Sequence, residues 1–129
     1  MSEISPRFDV DAVTVVLRDA GARFAYAHGS QVTGGATARS DFDVAAWFGR
    51  ADVDGLDLMA ELPARVDLLV LDRAPLELAG RVALQGRLLF DDDPPARVRW
   101  EATTRKIYLD EKPRIAQARA DFVKAWSHG

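Results

Sequence analysis

The segment RFAYAHGSQVTGGATARSDFDVAAWF, residues 23–48, decides the fold. Its first part, residues 23–28, is rich in aromatic and small apolar side chains and predicts a short strand. Glycines and small polar residues follow and predict a loop. The last part, residues 41–48, alternates in character, so Asp41 and Asp43 share one face of a second strand. The segment therefore predicts two strands joined by a glycine-containing loop, with two carboxylates at the start of the second strand.

The remainder of the chain alternates between helical and extended patterns. The predicted elements are helices at about 9–20, 51–62, 75–85 and 95–108, a last helix to about Trp126, and strands at 65–71 and 87–90. Pro113 is predicted to separate the last two helices. The order predicts an α/β (α+β) fold with a small mixed β-sheet backed by helices and a helical C-terminal tail. We expect a single domain over 1–129, with a core at about 9–93 and the tail at about 94–127.

Composition narrows the class of protein. The chain has 129 residues, 48% hydrophobic and 29% charged, which is typical of a globular domain. It has no cysteine, so disulfides and thiolate metal sites are excluded. The formal net charge of −3 argues against broad contact with nucleic acid. The start of the chain does not resemble a signal peptide, and no apolar run has the length of a membrane span. We expect a cytoplasmic protein that binds neither membrane nor nucleic acid directly.

Three aspartates fall in predicted strands, where aspartate is disfavoured. Asp41 and Asp43 project from one face at one strand end, and like charges that close repel unless a cation lies between them. Asp67 lies within VDLLVL, where a lone carboxylate costs several kcal/mol if it is buried without a partner. If its strand lies beside the first, the three oxygen-rich side chains form a site suited to Mg²⁺ or Mn²⁺. The structural alternative is that Asp41 caps a loop and Asp67 lies at a solvated strand edge.

Gly29 and Ser30 stand at the end of the first strand, and ten residues separate them from the Asp-x-Asp pair. Glycine allows close approach of the backbone to a bulky anion. The serine hydroxyl and nearby N–H groups can bind phosphate oxygens. The two halves of the segment thus predict contacts to two parts of one ligand, its phosphates and the metal ions that bridge them.

With Gly29-Ser30, Asp41/Asp43 and Asp67 in this order, the sequence resembles the nucleotidyltransferase superfamily. The resemblance is greatest to the minimal nucleotidyltransferases (MNT), antitoxins of HEPN ribonuclease toxins. It extends from about Asp9 to about Ala120 and includes the segments GRLLFDDDP and YLDEKPRI.

The resemblance implies that Asp41 and Asp43 bind two Mg²⁺ ions and that Asp67 completes one metal site and helps to deprotonate the attacking hydroxyl. It implies that Gly29 and Ser30 bind the β- and γ-phosphates of ATP. The implied reaction is transfer of AMP to a tyrosine of the HEPN toxin, within an oligomeric assembly of the two proteins.

The chain departs from the pattern of such proteins in one place. Many of them carry basic residues directly after Gly-Ser, whereas this chain has Gln31, Val32 and Thr33. This departure supports one alternative, an antitoxin that acts by binding alone. A second alternative is a small-molecule nucleotidyltransferase of the antibiotic-modifying kind. The nucleotide base, the number of nucleotides transferred and the acceptor residue are not fixed by the sequence.

Other features have structural interpretations. His28 is expected to be a partly buried strand residue. Asp72 is expected to be a turn residue, and residues 91–93, three aspartates before two prolines, predict a solvated helix start rather than a metal site. Trp126 lies near the end of the sequence, where order generally requires a docking surface, so a partner contact is hypothesised there.

Overall fold

The computed structural model describes residues 9–29 and 42–128, with side chains to residue 126. Its elements, in chain order, are α1 (Val10–Asp19), β1 (Phe24–His28), β2 (Phe42–Trp47), α2 (Gly55–Glu61), β3 (Val66–Val70), a 3₁₀ turn (Leu71–Arg73), α3 (Leu76–Gln85), β4 (Arg87–Asp91) and α4 (Pro94–His128). The described ranges contain no helix that combines the length and the apolar character needed to cross a membrane. The predicted order of elements up to β4 is confirmed.

The four strands form one mixed sheet in the order β3-β2-β1-β4. β1 pairs antiparallel with β2 on one side and with β4 on the other, while β2 and β3 are parallel. A parallel pair requires a crossover connection, which α2 supplies. The carboxyl end of β1 and the amino ends of β2 and β3 therefore meet at one end of the sheet.

Helices cover both faces of this sheet, because both faces of its central strands are apolar. On the first face, α1 and α2 contribute Val13, Leu17 and Leu58, which pack with Phe42 and Val44 of β2. On the second face, side chains of α3 and α4 pack with those of β1 and β2; the buried members of this cluster are Phe24, Tyr26, Ala45, Leu71, Val82 and Ala96. By the alternation of β2, Asp43 projects to the second face.

Aspartates cap α1, α2 and α4. The carboxylate of Asp9 accepts a hydrogen bond from the Ala12 backbone N–H at 3.0 Å at the start of α1. Asp54 does the same for two N–H groups at the start of α2. Asp93 accepts from the Ala96 N–H at 3.2 Å, which confirms the predicted start of α4.

The C-terminal region differs from the prediction. Instead of two helices separated at Pro113, α4 continues as a single helix through the proline. An interior proline removes one N–H donor, so the carbonyl of Leu109, four residues earlier, loses its helical partner. Leu109 and Pro113 both lie on the exposed side of the helix, where water can satisfy that carbonyl. The helix therefore tolerates the proline at this position.

Asp72 has a larger structural role than an ordinary turn residue. Its carboxylate accepts hydrogen bonds from the backbone N–H groups of Phe48, Gly49 and Arg50, at 2.9, 2.8 and 3.1 Å. These bonds fix the turn that follows β2 against the end of β3, and so help to hold the two strands that carry Asp43 and Asp67.

Candidate active site

Three polar side chains form a row across the end of the sheet. His28 of β1 lies opposite Asp43 of β2 in the antiparallel ladder, and Asp43 lies beside Asp67 of β3 in the parallel ladder. Neighbouring strands are about 4.8 Å apart, and residues at matching positions project from the same face. The predicted meeting of Asp43 and Asp67 on one face is thus confirmed.

Gly29 lies directly against the carboxylate of Asp43. Its φ is +75°, a backbone conformation that other residues rarely adopt. A Cβ atom added to it would stand 2.5 Å from Asp43 Oδ2, well inside van der Waals contact. The absence of a side chain at Gly29 therefore allows the chain to leave β1 close to this carboxylate, at the point where the sequence predicts a phosphate site.

Asp67 is exposed, because β3 is an edge strand of the sheet. The desolvation penalty considered for a carboxylate inside VDLLVL is therefore not incurred. Asp67 therefore lies at a solvated strand edge and also beside Asp43, so both interpretations of its position apply. Asp67 is thus an exposed carboxylate next to a second, less exposed one, and it is accessible to a cation.

His28 completes the row on its inner side and, as expected, is partly buried. Its Nε2 atom is buried and has no hydrogen-bond partner among the residues that the structure describes. Burial lowers the pKa of His28, and this outweighs the opposing effects of Asp43, a hydrogen bond with the Val44 backbone, and Asp67. His28 is thus favoured in its neutral form. Its place opposite Asp43 was not predicted, because the long loop between β1 and β2 leaves the register of their pairing open.

Two of the predicted site residues, Ser30 and Asp41, lie outside the described residues, as do Gln31, Val32 and Thr33 of the loop. Within residues 9–29 and 42–128, no cluster of three or more His, Cys, Asp and Glu side chains has an arrangement suited to a metal ion. The described residues supply two carboxylates of the predicted three. Their chemistry, hard anionic oxygens at adjacent strand positions, fits Mg²⁺.

The aspartates of residues 91–93 are not part of this row. Each one pairs with an arginine: Asp91 with Arg97 at 2.5 Å, Asp92 with Arg18 at 2.7 Å and Asp93 with Arg23 at 2.9 Å. These ion pairs confirm the structural interpretation of the acidic run and tie the start of α4 to the rest of the fold.

A second polar group supports the sheet beneath α4. The hydroxyl of Tyr26 donates a hydrogen bond of 2.6 Å to Glu101, whose other oxygen accepts from Arg97 at 2.9 Å. Burial, with Glu101 as a further cause, raises the pKa of Tyr26, so the phenol stays protonated. Since Tyr26 precedes His28 by two residues on the same face, this bond anchors the strand that leads to Gly29.

Comparison with known protein families gives one match. The family model described as polymerase beta, nucleotidyltransferase, matches residues 13–95, the part of the chain from α1 to the start of α4. It includes all five residues predicted to form the site. No curated protein sequence matched the chain.

Several solved structures share the fold. A toxin–antitoxin crystal structure with AMP-PNP contains a chain 25% identical to this one, with a TM-score of 0.72 and coverage of 90% of this chain and 98% of that chain. The toxin–antitoxin MntA–HepT shows 23% identity and a TM-score of 0.65, covering 89% and 96%. A structure of the tri-AMPylated Shewanella oneidensis HEPN toxin in complex with MNT antitoxin shows 23% identity and a TM-score of 0.65, covering 89% and 95%.

Proposed function

Because the chain belongs to the polymerase beta nucleotidyltransferase family, we propose that it acts as the antitoxin of a HEPN/MNT pair and transfers AMP from ATP to a tyrosine of its toxin. The modification neutralises the toxin. The reaction depends on Mg²⁺ bound by Asp41, Asp43 and Asp67.

One observation carries the proposal: Asp43 and Asp67 lie side by side on parallel strands, with Gly29 against the carboxylate of Asp43. A purely structural pair of aspartates does not require a backbone that approaches one of them this closely. A site for a metal-bound triphosphate does, because phosphate oxygens and carboxylate oxygens must share the same cation.

The structural neighbours support the same assignment. One contains AMP-PNP, an ATP analogue, and another contains an AMPylated HEPN toxin bound to its MNT antitoxin. This chain covers nearly the full length of the matched chains, and its family is one of nucleotidyltransferases. ATP as the nucleotide and a HEPN-type toxin as the acceptor follow as the simplest assignment.

In the proposed reaction, the tyrosine oxygen forms a bond to the α-phosphorus of ATP and the bond to pyrophosphate breaks, with the electron pair leaving on pyrophosphate. Asp67, an exposed carboxylate beside Asp43, takes the hydroxyl proton as the general base. Gly29 and Ser30 bind the β- and γ-phosphates through backbone N–H groups and the serine hydroxyl. Mg²⁺, when bound, neutralises the phosphate charge and favours departure of pyrophosphate.

The test is the intact mass of the product of the neighbouring gene, as the candidate acceptor, after co-expression with wild type, Asp43→Asn or Asp57→Asn. Asp43→Asn keeps the shape that fits against Gly29 but removes the charge. Asp57 lies in the first turn of α2, away from the row, and serves as the matched control. We expect a mass gain of whole AMP units with wild type and Asp57→Asn, and none with Asp43→Asn.

A different result would point elsewhere. Mass gain with all three versions would refute the assignment of Asp43. No mass gain with any version, together with a stable complex, would favour the alternative of an antitoxin that acts by binding alone. Nucleotide transfer to small acceptors in the absence of the partner would favour the small-molecule alternative.

A further inference from the structure

The second half of α4 carries a surface that the proposed chemistry does not use. α3 and α4 run antiparallel: Arg105 Nε donates to the Ala83 carbonyl at 2.6 Å, and further along α4 Arg119 reaches Glu77 in the first turn of α3. Between them lies a groove of about 310 Å³. Its lining residues belong to α3 and α4 and do not include Asp43 or Asp67.

The charges in this groove do not balance. Arg81, Lys112 and Arg119 line it, together with a single carboxylate, that of Glu77. Both arginines share this carboxylate, Arg81 at 3.1 Å. Within the described part of the chain, Lys112 pairs with no carboxylate and lies 6.0 Å from the ring centre of Tyr108. Two positive charges are therefore in excess, in a chain whose overall charge is negative.

The apolar residues of α4 continue the groove beyond α3. Ile115, which lines it, is followed at spacings of four, three and four residues by Arg119, Phe122 and Trp126, so the four lie on one face of the helix. Since Arg119 already meets the first turn of α3, the two aromatic residues project past the end of that helix. Phe122 is 64% exposed and Trp126 73%, and their ring centres are 6.0 Å apart.

Exposed aromatic residues next to arginines and an excess of positive charge are typical of protein interfaces. Tryptophan and arginine are enriched among residues that carry binding energy, and Trp126 is mostly exposed to solvent in this fold. The excess of positive charge selects an acidic partner, and the seven-residue repeat of the stripe suits an amphipathic helix.

We propose that the groove and the Phe122–Trp126 ring pair form one docking surface for an acidic, amphipathic segment of the acceptor protein. This inference rests on the proposed function for the identity of the partner, but not for the chemistry at Asp43. Docking on α4 holds the acceptor while its tyrosine reaches the nucleotide.

The test measures binding separately from transfer. The product of the neighbouring gene, as the candidate acceptor, is titrated into the full chain by calorimetry with EDTA present and no nucleotide, so that no transfer occurs. Arg119→Glu and Trp126→Ser are compared with two matched controls on the same helix. Arg114→Glu reverses a charge that is 80% exposed and lies outside the groove, and Val98→Ser removes an exposed apolar side chain near the start of α4.

We expect Arg119→Glu and Trp126→Ser each to weaken binding by about tenfold or more and the controls to leave it within about twofold. Raising the salt concentration weakens wild-type binding more than binding of Arg119→Glu, because exposed charges are screened. At saturating acceptor, both variants still transfer AMP. If the α4 variants weaken binding as expected but neither wild type nor any variant transfers AMP, the docking proposal holds and the proposed chemistry fails.

Four outcomes would overturn the docking proposal. One is binding that is unchanged in both variants, and another is the absence of binding by wild type. A third is wild-type binding to a single-stranded RNA 20-mer that Arg119→Glu abolishes, which would make the groove a nucleic-acid surface. The last is a wild-type homodimer that Trp126→Ser dissociates in sedimentation, which would make the stripe a contact between two copies.

Discussion

Replacing Gly29 by alanine separates the effect on stability from the effect on the site. A residue other than glycine at positive φ lowers the free energy of unfolding by about 1–2 kcal/mol. Part of this loss is offset because alanine reduces the conformational entropy of the unfolded chain. Gly21, at φ +98°, is the matched control, because no atom of the described residues lies within 4 Å of an added Cβ there. In a chain of this length, a loss of 1 kcal/mol lowers the melting temperature by about 4 °C. Both variants should show a loss of this order.

The two variants should differ in activity. At Gly29 the new Cβ stands 2.5 Å from Asp43 Oδ2, so that oxygen must move by about 1 Å to reach ordinary contact. The carboxylate is the end of a flexible side chain, and moving it costs little stability. However, a misplacement of about 1 Å in a catalytic group can lower the rate by about 100-fold. We expect Gly29→Ala to lose about two orders of magnitude in AMP transfer and Gly21→Ala to keep full activity.

The assay is thermal denaturation of both variants, followed by the initial rate of AMP incorporation into the partner at saturating ATP. Equal activity of Gly29→Ala and Gly21→Ala would refute the reasoning, because the close approach to Asp43 would then have no consequence for the chemistry. Loss of folding in Gly29→Ala alone would show that Asp43 cannot move, contrary to the argument.

Three further predictions concern the fold. Asp72→Ala removes the acceptor of three backbone N–H groups and should lower the free energy of unfolding by about 2–3 kcal/mol in urea denaturation; a loss below about 0.5 kcal/mol would show that water replaces the carboxylate. Because burial lowers the pKa of His28, the unfolded chain binds a proton that the folded chain does not, so stability should fall as the pH drops below about 6.5. The variant His28→Phe should lack this part of the pH dependence between pH 7.5 and 5.5, and an unchanged dependence would contradict the assignment. Pro113→Ala restores the missing helical hydrogen bond in α4 and should slow amide exchange after residue 113, while exchange in β1 and β2 stays the same.

Much of the fold could be predicted because its local signals agree. The alternation in residues 41–48 indicates a strand with two different faces, and the structure places Phe42 in one cluster and Ala45 in the other. Asp93 followed by two prolines marks the start of α4. The prediction at Pro113 was wrong because the rule that proline ends a helix considers only the lost hydrogen bond. The cost of that loss depends on whether the carbonyl is buried or exposed to solvent, which the local sequence does not show.

The site was predicted from residue types and spacing, and its pairing required the sheet. Asp43 and Asp67 are 24 positions apart in the sequence, and nothing local to either residue states that β2 and β3 are adjacent and parallel. The contribution of Asp72 is likewise invisible in the sequence, because the backbone groups that it binds belong to a distant turn. The exposure of Asp67 follows from the position of β3 at the edge of the sheet, which is a property of the strand order.

The continuity of α4 has a mechanical consequence. With a rise of about 1.5 Å per residue, the helix spans about 27 Å from Tyr108, which packs on α3, to Trp126. In a continuous helix, the number of residues between two positions sets both the distance between them and their relative rotation about the helix axis. Adding one residue between these positions would lengthen it by only about 1.5 Å but turn everything beyond by about 100°, whereas adding seven would lengthen it by about 10 Å and nearly restore the angle. Spacing between the body of the protein and its far end can therefore change during evolution in steps of whole turns.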